Sequence, residues 1–365
     1  REGMRIFTGG YTEPILMGSG EIVEGRCKGI ACYDFDEQTG KLAYRTVTGD
    51  IQNPSYVLAD AEGAYLYCVN ELKDWNGIDG STVSAFAIDR ETGALQRINQ
   101  QFTCGADACH LSFSPDKKYL LVSNYSGGSL AVYRIREDHG LEPATCILRH
   151  QGRGANPERQ EGPHIHQTVM APDGQHVYVS DLGQDIFACY RADWEKGWLL
   201  LEKEKNIYGI PGQGTRHGAF DVNGTHFYVM TELTCEVNVY QYKAGQAELM
   251  QTISAFADPA QQTEGCLGAG IRIHPSGKWV YGAVRGTNHI AVFRVEADGR
   301  LTLTETKLSG GEIPREFILS PDGRYLLAAN QDTDNICVFA IDEHTGGLKE
   351  VWNQENVYCV TCISF

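Results

Sequence analysis

The chain has 365 residues, 42% apolar and 10% aromatic, with 47 acidic against 31 basic side chains and a formal net charge of -16. A field of that sign repels polyanions and argues against nucleic acid or an anionic membrane as partner, although a small anion can still be held in a local basic pocket. No apolar run approaches the roughly 18 residues that a membrane helix needs, so a soluble protein is predicted.

Arg1-Glu2-Gly3 leads straight into a strand pattern at Met4, without the apolar core and small-residue cleavage site of a signal peptide. The twelve cysteines are irregularly spaced, and Cys32, Cys68, Cys189 and Cys337 sit inside apolar strands, where cysteine acts as a small hydrophobe. A reduced cytoplasm is the expected setting.

From there the chain reads as short Val-, Ile-, Tyr- and Phe-rich runs broken every 8 to 12 residues by Gly, Asp, Asn or Pro turns, an all-β pattern with no helical stripe. The runs repeat as a four-strand unit, clearest in His110-Leu111-Ser112-Phe113, the turn Ser114-Pro115-Asp116, Tyr119 to Asn124, and Leu130 to Ile135. Further copies begin near Asn53, His164, Arg216, Gly270 and Arg315, with turn variants Asp173-Gly174, Asn223-Gly224, Ser276-Gly277 and Asp322-Gly323. A seventh copy is split. Ile6 to Gly10, Gly29 to Phe35 and Lys41 to Val47 lack a first strand, which Thr361 to Phe365 supplies at the other end of the chain. The prediction is one domain over 1–365, a seven-bladed β-propeller of four-stranded antiparallel blades closed by pairing its N- and C-terminal strands, which removes open edges. Insertions are expected at Leu72 to Gly80, His150 to Gly162 and Asp258 to Gly268; the arginines of the second, Arg149, Arg153 and Arg159, read as those of a solvated crossover in preference to a ligand lid.

In such a blade the first strand runs along the central channel and the second returns, so the start of one and the end of the other share a face. Counting six residues back from the Pro-equivalent of each turn gives Ser55, Cys109, His166, Arg216, Ala269, Arg315 and Thr361. The residue after each second strand gives Tyr11, Glu71, Tyr125, Leu182, Glu232, Arg285 and Gln331. Both rows should ring the channel mouth, where three arginines, a histidine and two glutamates form an ionisable site. His164 and His166, two apart, are expected on one face; Arg216 can pair with Glu232 sixteen residues on; Arg216, Arg285 and Arg315 together suit a carboxylate or phosphate.

No metal or cofactor is expected. Cys359-x-x-Cys362 has a metal-like spacing, but residues three apart in a strand face opposite sides, and His110, His217, His274 and His289 are scattered. No phosphate-binding glycine loop, serine elbow or dinucleotide fingerprint is present.

At Gly9-Gly10-Tyr11-Thr12, Asn53-Pro54-Ser55-Tyr56, Gly162-Pro163-His164-Ile165-His166-Gln167, Thr215-Arg216-His217 and Pro314-Arg315-Glu316-Phe317 the chain resembles the seven-bladed propeller lactonases, a group of bacterial 6-phosphogluconolactonases and the fungal 3-carboxy-cis,cis-muconate lactonizing enzyme. The resemblance covers essentially the whole chain. It implies a metal-independent site at the channel mouth made by His166, Arg216, Glu232 and Arg285. One departure is Ala283-Val284-Arg285, where the family usually has Ser-Asn-Arg.

The resulting expectation is hydrolysis of a small anionic sugar lactone, 6-phosphoglucono-1,5-lactone foremost. His166 would be general base, Arg216 and Arg285 would stabilise the oxyanion, and Glu232 would fix an arginine or the water. Arg315 and His164 are the expected phosphate contacts, with Glu71 and Gln331 as further substrate-binding residues. Two alternatives are cycloisomerisation of a carboxymuconate and a non-catalytic propeller binding a small anion or a protein. A monomer or weak homo-oligomer is expected.

Overall fold

Short β-branched and aromatic runs joined by tight Asp-containing turns favour antiparallel meanders, and the computed structural model, which describes residues 3–365, consists of them. The only helical elements among the described residues are two single 3-10 turns, Lys203–Lys205 and Pro259–Gln261. The fourth blade is representative: strands Thr215–Phe220, His226–Thr231, Glu236–Lys243 and Gln246–Ser254 pair in that order. Its turn is locked by Asp221, whose Oδ1 accepts a hydrogen bond from the Thr225 amide at 2.7 Å. Five blades follow this plan, and the first strand of every blade touches that of the next around the whole ring.

The seventh blade closes the ring as expected. Val360–Ser364 pairs with Met4–Gly10, followed by Ile30–Phe35 and Leu42–Thr48. Phe7 lies opposite Ser364 and Gly9 opposite Cys362. The third blade departs from the plan, since its outer edge is divided between Trp198–Leu201 and Ile207–Tyr208, both paired to Ile186–Asp193.

Apolar side chains from the facing surfaces of adjacent blades form the core; in one such layer Trp279 and Tyr281 pack with Phe317 and Phe339. Buried tyrosines tie one blade to the outer turn of the next: Tyr67 Oη donates to His139 O at 2.8 Å, Tyr228 Oη to Gly299 O at 2.7 Å, and Tyr281 Oη to Gly346 O at 2.7 Å. Each phenol thus buries a large ring without stranding its hydroxyl. All twelve cysteines are free thiols, and among the described residues no helix is long and apolar enough to cross a membrane.

One local feature builds the mouth. In six of the seven first strands the residue of the first row falls at a β-bulge, whereas Ser55 precedes its strand, Val57–Ala59. Ala108 pairs with Asn124 and His110 with Ser123, leaving Cys109 outside the ladder; His166, Arg216, Arg315 and Thr361 occupy the same place in their blades. A bulge inserts one residue and re-aims its side chain. The residue two positions earlier then supplies a carbonyl to the second row: Glu71 N donates to Asn53 O at 3.0 Å, Glu232 N to Gly214 O at 2.7 Å and Gln331 N to Ile313 O at 3.0 Å. The two rows are therefore held as one unit.

Four insertions stand over this face. Beyond the three expected, residues 11–28 carry a hairpin of Ile15–Leu16 and Ile22–Val23 that the sequence reading missed. Its tip reaches the second blade, where a Cβ on Gly18 would come within 2.8 Å of Tyr125 Oη.

Candidate functional site

The channel mouth is a cavity of about 800 Å3. First-row residues His166 and Arg315 and second-row residues Glu71, Tyr125, Glu232, Arg285 and Gln331 line it. At its floor lies a recess of about 10 Å3, close to what one water molecule requires. Ser55, Arg216 and Thr361 line the recess, together with Glu71, His166 and Arg315. Adjacent residues such as Arg216 and His217, or Arg315 and Glu316, both face it. Regular strand alternation would forbid this, and the bulge allows it. Ala269 and Leu182, the apolar members of the rows, are buried away from the cavity.

Glu232 organises one side. Its Oε1 accepts from Arg216 Nε at 3.3 Å and Arg285 Nη2 at 2.9 Å, and its Oε2 is bonded to Arg159 Nη2. Burial alone would push this carboxyl upward, but Arg285, Arg159 and Arg216 outweigh it and hold the group well below the usual carboxylate range. It is a permanent anion. Arg285 is fixed further by Gly268 O at 2.7 Å, and Gly268 has no room for a side chain, because a Cβ would lie 2.1 Å from Thr231 O. Arg216 is 2% exposed, and burial with Arg285 beside it lowers its guanidinium to about 10. Its Nη1 has no hydrogen-bond partner among the described residues.

Arg159 corrects the reading of the second insertion as a solvated crossover. Arg149 and Arg153 are exposed, but Arg159 turns inward, bonds Glu232, and donates from Nη2 to Tyr125 Oη at 3.2 Å.

His166 Nδ1 is hydrogen-bonded to His217 Nε2 at 2.9 Å, with Tyr125 edge-on at 5.7 Å between ring centroids. Burial, reinforced by Arg216, drives its basicity well below that of an ordinary histidine. His217 in turn meets His110 at 5.6 Å, so three histidines form a contiguous row where scatter had been expected.

His164 does not share the face of His166. It precedes the strand, its ring stacks on Tyr125 at 4.4 Å, and Nε2 pairs with Glu161 at 2.8 Å. It supports the wall from behind and does not line the cavity. Gln331 lines the cavity, with Nε2 donating to Asp332 at 3.1 Å.

The opposite side is built around Glu71 and Arg315. Glu71 accepts from Ser55 Oγ at 2.7 Å and, more weakly, from Tyr11 Oη at 3.3 Å. Burial and the neighbouring Asp107 raise its carboxyl to about 7, against the opposing pull of Arg315, Ser55 and Lys73. Asp107, another residue outside the rows, accepts from Lys73 Nζ at 2.6 Å and lines the cavity. Arg315 sits with Cζ 5.8 Å from the centre of the Tyr11 ring and makes no side-chain hydrogen bond or ion pair among the described residues. It is the uncommitted cation of the mouth, since Arg159, Arg216 and Arg285 all share Glu232. Outside this floor the rim is acidic, with Glu21, Glu158 and Glu264 exposed along the cavity edge.

Residues 5–365 match the family model described as lactonase, seven-bladed beta-propeller. The chain is 32% identical over 349 residues to a 6-phosphogluconolactonase of Bacillus subtilis, covering 95% of this chain and 97% of that one. It is 30% identical over 328 residues to a 6-phosphogluconolactonase of Formosa agariphila, covering 88% and 91%. The solved periplasmic gluconolactonase of Pseudomonas aeruginosa superimposes with a TM-score of 0.88 at 31% identity, covering 98% of each chain. Matched by the family model over residues 5–365 and by a relative 32% identical over 95% of its length, the chain belongs to the seven-bladed β-propeller lactonase family.

Proposed function

We propose that the protein hydrolyses a sugar lactone at the channel mouth, with 6-phosphoglucono-1,5-lactone as substrate. The observation that carries this reading is the division of labour among the arginines. Arg216 and Arg285 are immobilised by Glu232 and keep nitrogens that it does not use, as suits donors preorganised for the oxyanion of a tetrahedral intermediate. Arg315 makes no direct ion pair among the described residues and suits the phosphate, because a guanidinium fork matches phosphate oxygens. Gln331 and Glu71 complete the walls that a sugar ring would touch, and His166 offers Nε2 from a neutral imidazole. A base so strongly depressed gains little from protonation, so in this reading His166 orients the water or the ring oxygen by hydrogen bonding, in place of the proton-accepting role expected from sequence.

The test is the rate at which freshly generated 6-phosphogluconolactone disappears, corrected for spontaneous opening. Acceleration by the pure protein supports the reading, and none removes it. Arg315→Ala is expected to raise KM for the phosphorylated lactone about 10- to 100-fold, the value of a charge-assisted hydrogen bond of about 1.5–3 kcal/mol. KM for glucono-1,5-lactone should stay within about twofold, since that lactone has no phosphate whose binding could be lost. Equal effects on both lactones would take the phosphate from Arg315.

A further inference from the structure

Of the two buried glutamates at the mouth, one is spent on structure and the other is not. Glu232 has both oxygens engaged by guanidinium groups. Glu71 is as deeply buried, at 5% exposed, yet the only hydrogen-bond donors to its carboxylate among the described residues are the neutral hydroxyls of Ser55 and Tyr11. It also lines both the cavity and the recess beneath it, on the side facing Arg315. A buried carboxylate without an ion pair is costly to maintain and has no evident value to a blade.

We propose, resting on the lactonase reading, that Glu71 is the general base of the reaction and that the hydrolytic water occupies the recess between Glu71, His166, Arg216 and Arg315. The other candidates are less suited. Asp107 has one oxygen committed to Lys73 and Ser126. Glu232 is held ionised by three cations, and His166 lies beside Arg216, where a further positive charge is opposed.

The groups facing Glu71 set its proton affinity. Asp107 and burial raise it, Arg315, Ser55 and Lys73 lower it, and Tyr11 supplies a long hydrogen bond. The balance near 7 leaves the carboxyl partly ionised at neutral pH, where a base accepts a proton with useful driving force and still returns it.

In the step itself a water O–H bond breaks as its oxygen bonds to the lactone carbonyl carbon, and the proton passes to a Glu71 carboxylate oxygen. The carbonyl electron pair moves to the oxyanion facing Arg216 and Arg285. Collapse re-forms the carbonyl and breaks the bond to the ring oxygen, which takes the proton back from Glu71 as the hydroxyl of the open acid. The acid then ionises to solvent.

The experiment compares wild type, Glu71→Gln and Glu71→Asp with 6-phosphoglucono-1,5-lactone and glucono-1,5-lactone across pH. Glu71→Gln keeps the shape and the Ser55 contact, and is expected to lower kcat about 10^2- to 10^4-fold with KM within a few-fold on both lactones. Glu71→Asp should recover part of the loss. In wild type, kcat/KM should fall as pH drops through about 7, because protonation removes the base, and this limb should vanish from the residual activity of Glu71→Gln. Wild-type turnover in Glu71→Gln, an unchanged acid limb, or a loss confined to KM would overturn the assignment while leaving the lactonase intact. A wild-type protein that opens neither lactone would remove the reading and the assignment together. Should Glu71→Gln melt early, Glu71→Asp carries the decision: an acid limb that does not move with the shortened carboxylate overturns the proposal.

Discussion

Glu232→Ala is expected to lose about 3–5 kcal/mol of folding stability and at least about 10^2-fold in kcat/KM together. The stability figure is that for removing one partner from a buried charge pair, which strands the other charge in a medium that does not solvate it. Here three guanidinium groups are stranded on one deletion, with Arg216 and Arg285 both buried. The catalytic figure follows from disordering at once the two arginines proposed as oxyanion donors. Urea unfolding midpoints at unchanged slope measure the first quantity, and lactone turnover measured below the transition measures the second. A variant that loses turnover with its midpoint unmoved would mean that the clamp has no structural share. Glu232→Gln should lie between, because an amide oxygen still accepts from one arginine while the charge is gone.

Deleting residues 360–365 is expected to abolish the folded state. The strand Val360–Ser364 supplies the inner edge of the seventh blade and buries Val360 and Ile363 in the layer shared with the sixth. At about 1.5–3 kcal/mol for each fully buried aliphatic side chain, these two alone approach the 5–15 kcal/mol that hold a typical domain together. Loss also exposes Met4–Gly10 as an unpaired edge, a template for association with another chain. Circular dichroism and size-exclusion chromatography of the truncated chain check this, with a synthetic peptide of residues 357–365 added to restore the missing strand. A truncated chain that stays monomeric with native β signal would refute the closure argument.

The propeller was legible because each four-strand unit carries its own turn signals. Pro115-Asp116, Asp173-Gly174 and Asp322-Gly323 recur in phase with the apolar runs, so a phase error in one copy is corrected by the next. The same phase located His166, Arg216, Glu232, Arg285, Glu71 and Arg315 by counting alone, since a residue at a fixed offset in a repeat has a fixed place around the axis. What was missed lies outside that logic. Arg159 and the 11–28 hairpin belong to insertions, whose residues have no offset to count. His164 was misplaced because strict alternation pairs it with His166, whereas the chain enters the ladder only at Ile165 and a bulge follows immediately. His217 was set aside as one of four scattered histidines; regular alternation would turn it away from its neighbour Arg216, whereas the bulge turns both toward the recess. Proton affinities were also out of reach, because they depend on which charges meet across blades.

The acidic rim above the arginine floor bears on how a substrate arrives. An anion diffusing toward a molecule of net charge -16 meets repulsion first, and Glu21, Glu158 and Glu264 extend that repulsion to the entrance. Attraction from Arg315 begins only inside the cavity, over distances shorter than the screening length of about 8 Å at physiological salt. Dissolved ions weaken the outer barrier more than the inner well. Encounter with a phosphorylated ligand is therefore slowest in dilute buffer and quickens as salt is added, opposite to the behaviour of a protein that steers its ligand by long-range attraction. An uncharged lactone of the same shape is indifferent to the barrier, so added salt is expected to quicken capture of a phosphorylated lactone and to leave that of the uncharged one unchanged.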